Sequence, residues 1–445
     1  MPRALEVWSG EQLVGHLREE NDIWAFEYTP EWVSSADSYP LCPALPLEPR
    51  EHIDGSSIRT VQWYFDNLLP EETLRETIAK EAKLPAEDAF GFLAYYGQES
   101  AGSLVLVVPG EPNHAEQGKR LLPPEELSQR IRNLPTASLT KDAPKKMSLA
   151  GAQHKIPVVI SKGELYEPLP GTPSTYILKP NHQSGDYPAS VMNEYFTMRL
   201  GKAVGLSDVP DVLRMYVPEP VYLVKRFDRV EAKNGRVKRL HAIDTCQLLN
   251  KPRQFKYNAA NLDSLIAAIN ECRQVVRARI ELYKWLVFNC LIGNSDNHLK
   301  NISFLVDHEG VRIAPAYDLL STAVYETKAL AAEGRVTWPD TELALSLGET
   351  VRFSAINRDA LLNAGIHLGL PKGVAERHLD QILRRLPVEA ERLFEEVKQE
   401  NADHLERATD RGTVGAYLEA EMRLLRSIMH IIIPDMIGRI KSDTL

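Results

Sequence analysis

The sequence predicts an α+β chain of two lobes, with strands concentrated in the N-terminal half and amphipathic helices in the last third. Three observations carry this. Short runs of alternating or β-branched character, among them ALEVW, QLVGHL, IWAFEY, KIPVVI and VYLVKRF, all lie before residue 230. Large apolar residues at near-helical spacing (Ile280, Tyr283, Leu286, Val287, Cys290) open a helical region that continues after Asn357 through ERLFEEVKQE and AYLEAEMRLLRSIMHIII. A chain of 445 residues, 44% hydrophobic and 25% charged, has room for two or three packed units with a sizeable core.

In order along the chain, the start reads as a hairpin turning at Ser9 and Gly10, followed by the strand IWAFEY. From Pro70 to Tyr96 the pattern is helical, and SLVLVVP then reads as a strand. A polar, proline-dotted connector with a short helix spans Gly110 to Lys146. The strands KIPVVI, ELYEP and STYILKP follow, then a helix over SVMNEYFTMRLGKAVGL, the strands VLRMYV and VYLVKRF, and a hairpin turning at Lys233, Asn234 and Gly235. Val275 to Ile292 should form a buried helix that delivers the next loop. These signals divide the chain into a β-rich subdomain 1–110, the rest of a small lobe 111–250, and a helical lobe 251–445.

Bulk properties exclude several functions. A formal charge of -9 gives no support to broad binding of nucleic acid by the chain's own surface. Cys42, Cys246, Cys272 and Cys290 form no CxxC pair, which argues against a zinc site or a disulfide framework and for a reducing cytoplasm. No basic start with an apolar core marks a secretion signal, and LVLVV and IMHIIIP fall well short of the ~20 apolar residues that cross a bilayer.

The stretch LIGNSDNHLKNISFLVDHEGVRIAPAYDLLS places Asp296, Asn301 and Asp318 on loops around a predicted hairpin. Alone, Asp and Asn four intervening residues apart are capping residues. Followed by a hairpin and a second aspartate, they reproduce the order of the protein-kinase pattern: one aspartate at the attacking hydroxyl, then asparagine and aspartate oxygens for Mg²⁺. Upstream, Lys179 ends the strand TYILKP and the next helix carries Glu194, the layout of a phosphate-binding lysine with a carboxylate partner. In KMSLAGAQHKIPVVI, the small residues Ala150, Gly151 and Ala152 let backbone N–H groups approach a phosphate, although a tight hairpin turn would look the same.

Taken together, SLAGAQHK, YILKP, VKRFDR, LIGNSDNHLKN and AYDLLS resemble the HipA family, in the same order over nearly the full length. The resemblance implies a protein-kinase-like two-lobed fold, a small mixed α/β N-terminal lobe with a mainly helical C-terminal lobe, and phosphorylation of serine or threonine with ATP and Mg²⁺. Ala150, Gly151, Ala152, Gln153, His154 and Lys155 would form the nucleotide-phosphate loop, and Lys179 would contact the phosphates. Lys225, Arg226 and Phe227 would be the hinge holding adenine, while His298, Tyr317 and Asp318 would also line the nucleotide site. Asp296 would be catalytic, Asn301 and Asp318 would hold Mg²⁺, and Ser148 matches the autophosphorylated serine whose modification ejects the loop.

The resemblance also implies a HipB-like helix-turn-helix antitoxin, operator DNA reached mainly through it, co-repression of the operon, and a target in translation such as glutamate–tRNA ligase, with growth arrest as the outcome. Two positions depart from the family pattern. Lys225 stands where an acidic residue is familiar, and TVRFSAINRD carries no run of lysines. A small-molecule kinase of the aminoglycoside or choline type, or a catalytically silent co-repressor, are the competing classes.

Overall fold

The computed structural model describes residues 2–111, 117–147, 149–232, 235–332 and 334–441. Ser148, Lys233 and Asn234 therefore lie outside the described residues. The chain divides into two compact units that are interleaved in sequence. The first comprises Met1–Lys179, Lys225–Phe255 and Ser303–Ala314, and the second Pro180–Val224, Lys256–Ile302 and Pro315–Leu445.

The first unit begins with an antiparallel sheet in the order His52–Ile53, Ile23–Tyr28, Gln12–Glu20, Arg3–Ser9, Leu104–Val107. Its register pairs Leu5 with Leu17 and Leu17 with Phe26, so the period-two pattern sends Leu5, Val7, Leu17, Trp24 and Phe26 to one buried face. Helices Thr60–Asp66, Glu72–Ala82 and Ala89–Tyr96 follow. Phe65 and Phe90 meet the sheet edge-on or tilted, with ring centroids 5.7 Å from Phe26 and 5.2 Å from Trp24.

Four more strands lie in the order Tyr176–Pro180, Ile156–Ser161, Glu164–Pro168, Lys119–Leu121, the last supplied by the connector that also carries helix Pro124–Arg132. The short strand His241–Asp244 pairs with Ser303–Asp307, which pairs with Gly310–Ile313. The predicted hairpin after Asn301 thus forms, and its first strand also pairs with His241–Asp244, a partner some sixty residues upstream that local pattern does not indicate.

The second unit is built on helices Ser190–Val204, Val275–Leu291, Lys372–Arg407 and Arg411–Ser427. Both of the first two are buried over most of their circumference, as expected of helices without a polar stripe. Gly205, at φ +96°, closes the first of them in a left-handed cap. The hairpin Val212–Tyr216 with Pro220–Lys225 is tied to the last two helices by Arg214, which donates to Glu421 and Asn401, both at 2.7 Å. The segment ERLFEEVKQE belongs to one helix of 36 residues that continues through Pro387. The hydrogen bond lost there is offset by burial of Leu383, Leu386, Ala390 and Leu393 on the inward face.

All four cysteines are free and buried, and burial pushes the thiols of Cys42, Cys272 and Cys290 up to about 12. No helix among the described residues is long and apolar enough to cross a membrane.

Candidate active site

Helix Val275–Leu291 ends at Gly293, whose φ of +66° turns the chain into the loop that carries Asp296. A ladder of buried amides then fixes that loop. Asn289 donates to the Trp285 carbonyl at 2.8 Å, Asn294 donates to Asn289 Oδ1 at 2.7 Å, and the Asp296 N–H donates to Asn294 Oδ1 at 3.1 Å. The Asp296 carbonyl in turn accepts from the His298 N–H at 3.0 Å and from Asn301 Nδ2 at 2.8 Å. Asp296 and Asn301, an ambiguous pair in sequence, are therefore joined by a direct hydrogen bond across a 3-10 turn.

That bond also orients Asn301. Its amide nitrogen is spent on Asp296, so its oxygen is the end left to meet a cation. Tyr317 Oη donates to the Lys300 carbonyl at 2.7 Å, which brings the segment preceding Asp318 against the residue preceding Asn301. Asp318 itself is held at φ +51°, a costly conformation outside glycine. The chain beyond it is locked to helix Ser190–Val204: Asn193 exchanges hydrogen bonds with Ser321 in both directions at 2.8 and 2.9 Å, and Thr197 donates to the Leu319 carbonyl. Burial raises the Tyr222 phenol well above its ordinary range, and the carboxylates of Glu194 and Asp318 push it further the same way, which groups those three residues.

Among the described residues, no three His, Cys, Asp or Glu side chains cluster as a metal site. A divalent ion here would instead take a mixed amide and carboxylate set. The oxygens of Asn301 and Asp318 are hard donors and fit Mg²⁺, which prefers few protein ligands and keeps several waters.

The remaining predicted residues belong to the first unit. Gly151 adopts φ +103°, and a Cβ there would approach Lys155 Nζ to 2.7 Å. Lys155 folds back to donate to the Ala150 carbonyl at 2.6 Å, so Ala150, Gly151, Ala152, Gln153, His154 and Lys155 form a closed turn. Lys179 is the penultimate residue of its strand and is buried. Lys225 is exposed, and Phe227 packs on Ala242, Leu305 and Ala314. Arg226 is committed elsewhere: its N–H donates to the Thr175 carbonyl at 2.9 Å, and its guanidinium grips Asp228 at 2.9 and 2.7 Å and Glu99 at 3.0 Å. His298, placed with the nucleotide by resemblance, has its ring edge-on to Tyr257 at 4.8 Å.

Two groups escaped sequence reasoning. Tyr257 donates to Asp296 Oδ1 at 2.6 Å across 39 residues of chain, and no spacing rule reaches that far. Glu99 is fully buried among Lys145, Arg226, Arg229 and Arg239, partners that only folding assembles.

The chain is similar to known proteins over most of its length. Residues 147–390 match the model of the HipA-like C-terminal domain, and residues 5–107 that of the HipA N-terminal domain. The protein Y4mE of Sinorhizobium fredii is 31% identical over 396 residues, covering 86% of this chain and 89% of its own. This chain belongs to the HipA family. The serine/threonine-protein kinase toxin HipA of Shewanella oneidensis is 28% identical over 405 residues, covering 86% and 88% of the two chains. The solved HipA of that organism, in complex with HipB and operator DNA, superposes with a TM-score of 0.71 at 26% identity over 98% of this chain and 99% of its own. The HipA fold is the kinase-like two-lobed α+β fold expected from the sequence, and the family is one of toxin serine/threonine kinases.

Proposed function

We propose that this HipA-family chain is the toxin of a type II toxin–antitoxin pair, a kinase that moves the γ-phosphoryl group of ATP to a serine or threonine hydroxyl of a protein. The observation that carries this reading is the pinned loop in which Asn301 binds the Asp296 carbonyl while the Asp296 carboxylate already accepts from a hydroxyl, that of Tyr257. Asp296 orients the acceptor hydroxyl and takes its proton as the new P–O bond forms. Asn301 and Asp318 would hold Mg²⁺, which when bound would offset the charge of the phosphates. Lys179, the turn Ala150–Lys155 and, through its backbone carbonyls, the hinge Lys225–Phe227 would serve the nucleotide, as would His298 and Tyr317.

Regulation follows the same resemblance. Phosphorylation of Ser148 adds a charge of about -1.5 to -2 at a position two residues before the turn at Ala150, which disfavours a loop closed over phosphates and carboxylates. A HipB-like antitoxin is the partner, and it supplies most of the contact with operator DNA, in keeping with the chain's charge of -9. That HipA of Shewanella oneidensis was solved with HipB and operator DNA supports this partner. A component of translation, with glutamate–tRNA ligase as the first choice, is the target, and the protein acts in the cytoplasm.

The test is phosphate transfer from labelled ATP with Mg²⁺ by wild type, Asp296→Asn and Ser148→Ala, with mass spectrometry locating the product. Label on Ser148 of the wild type, reduced at least a hundredfold in Asp296→Asn, is expected for a group acting as general base. Ser148→Ala should keep turning over ATP after wild type has silenced itself. No turnover in any form points to a binding protein instead.

A further inference from the structure

Tyr257 occupies the business end of the proposed catalytic aspartate. Its phenol donates to Asp296 Oδ1 at 2.6 Å, and among the described residues it is the one donor to that carboxylate. An O–H group donating to this aspartate is the contact that an acceptor hydroxyl must make before its proton can be taken.

A simple orienting role does not account for the contact. The Asp296 backbone is already held by Asn294, His298 and Asn301, the first through its N–H and the others at its carbonyl. The phenol adds little to a loop fixed on three sides. What it does add is occupancy. Tyr257 is 43% exposed, and it leans on the edge of the His298 ring at 4.8 Å with the Lys256 ammonium 5.1 Å from its ring centre. Its backbone is anchored, since the Leu299 N–H donates to the Lys256 carbonyl at 3.1 Å and the Ala260 N–H to the Tyr257 carbonyl at 2.9 Å. Rotation of the side chain into solvent would leave those two backbone bonds intact.

We infer that the Tyr257 phenol is an internal stand-in for the acceptor hydroxyl, a gate that the serine or threonine of a protein substrate must displace. This rests on the kinase reading above. The gate raises the concentration of acceptor needed without altering the transfer step, and it keeps water from the aspartate when no substrate is present. Free water is the competing acceptor that a kinase must exclude.

The experiment compares wild type, Tyr257→Phe and Asp296→Asn in full-length protein, with dephosphorylated casein as a serine-rich probe and with water alone as acceptor. For Tyr257→Phe the KM for casein should fall three- to tenfold with kcat and the KM for ATP unchanged, and ATP hydrolysis without casein should rise. Tyr257→Ala, which removes the ring as well, should show the same two changes and serves if the first variant melts abnormally. A lower kcat with KM unmoved would make Tyr257 a positioning residue and overturn the gate, as would kinetics identical to wild type. A wild type no more active than Asp296→Asn overturns the kinase reading and the gate with it.

Discussion

At the scale of single residues, His241 shows how far burial moves ordinary chemistry. Its ring stacks on Tyr39 at 4.9 Å, its Nδ1 lies 3.1 Å from Ser103 Oγ, and its Nε2 lies 2.9 Å from the Leu41 carbonyl. Burial pushes it down to about 4 from an ordinary value near 6.5. The unfolded chain therefore binds this proton between those two values and the folded chain does not, so stability falls as pH drops from about 6.5 to about 4. The shift corresponds to roughly 3 kcal/mol. Urea unfolding across that interval should show the slope in wild type and lose it in His241→Phe; an unchanged slope would mean that another group titrates. Asp318 illustrates the opposite case, a residue legible as chemistry but not as geometry. Its place after a strand pair pointed to metal binding, whereas its φ of +51° depends on the locked segment that follows it.

At the scale of elements, the period-two runs and the helical spacings were legible because each depends on neighbours a few residues away. The node at Glu99 was not. Its carboxylate accepts from Lys145 at 2.6 Å, Ser174 at 2.9 Å, Arg226 at 3.0 Å, and Arg229 and Arg239 at 2.8 Å each. Arg229 and Arg239 stand directly opposite each other in the ladder of Arg229–Glu231 with Val237–Arg239, an arrangement of like charges that is unfavourable without a shared anion. Glu99, held well below the usual carboxylate range by these cations against the cost of burial, is that anion. Glu99→Gln should cost about 3–5 kcal/mol, the range for removing one partner of a buried charge set. Denaturant midpoints at unchanged slope would measure it, and a loss under 1 kcal/mol would show that the cations are satisfied by other means.

At the scale of the whole molecule, each unit draws on three separate stretches of chain. A cut at residue 250 therefore cannot release the second unit intact. The piece 251–445 lacks helix Ser190–Val204 and, with it, Asn193 and Thr197, which hold the backbone at Leu319 and Ser321 just past Asp318. Expressed alone, that piece should keep helical far-ultraviolet dichroism but melt without a cooperative transition and fail to protect its amides. A sharp melt with native-like protection would show that the remaining helices suffice.

The sequence by itself determined the order of strands and helices and set Asp296, Asn301 and Asp318 around one hairpin, because alternation, helical spacing and a short motif are all local. Only the tertiary structure decided that His241–Asp244 joins the hairpin after Asn301, that Arg226 serves Glu99 and Asp228, and that Tyr257 rests on Asp296. Each of those contacts joins residues distant in the chain, or a side chain whose alternatives look equal in sequence. Which of them forms depends on how the buried faces meet.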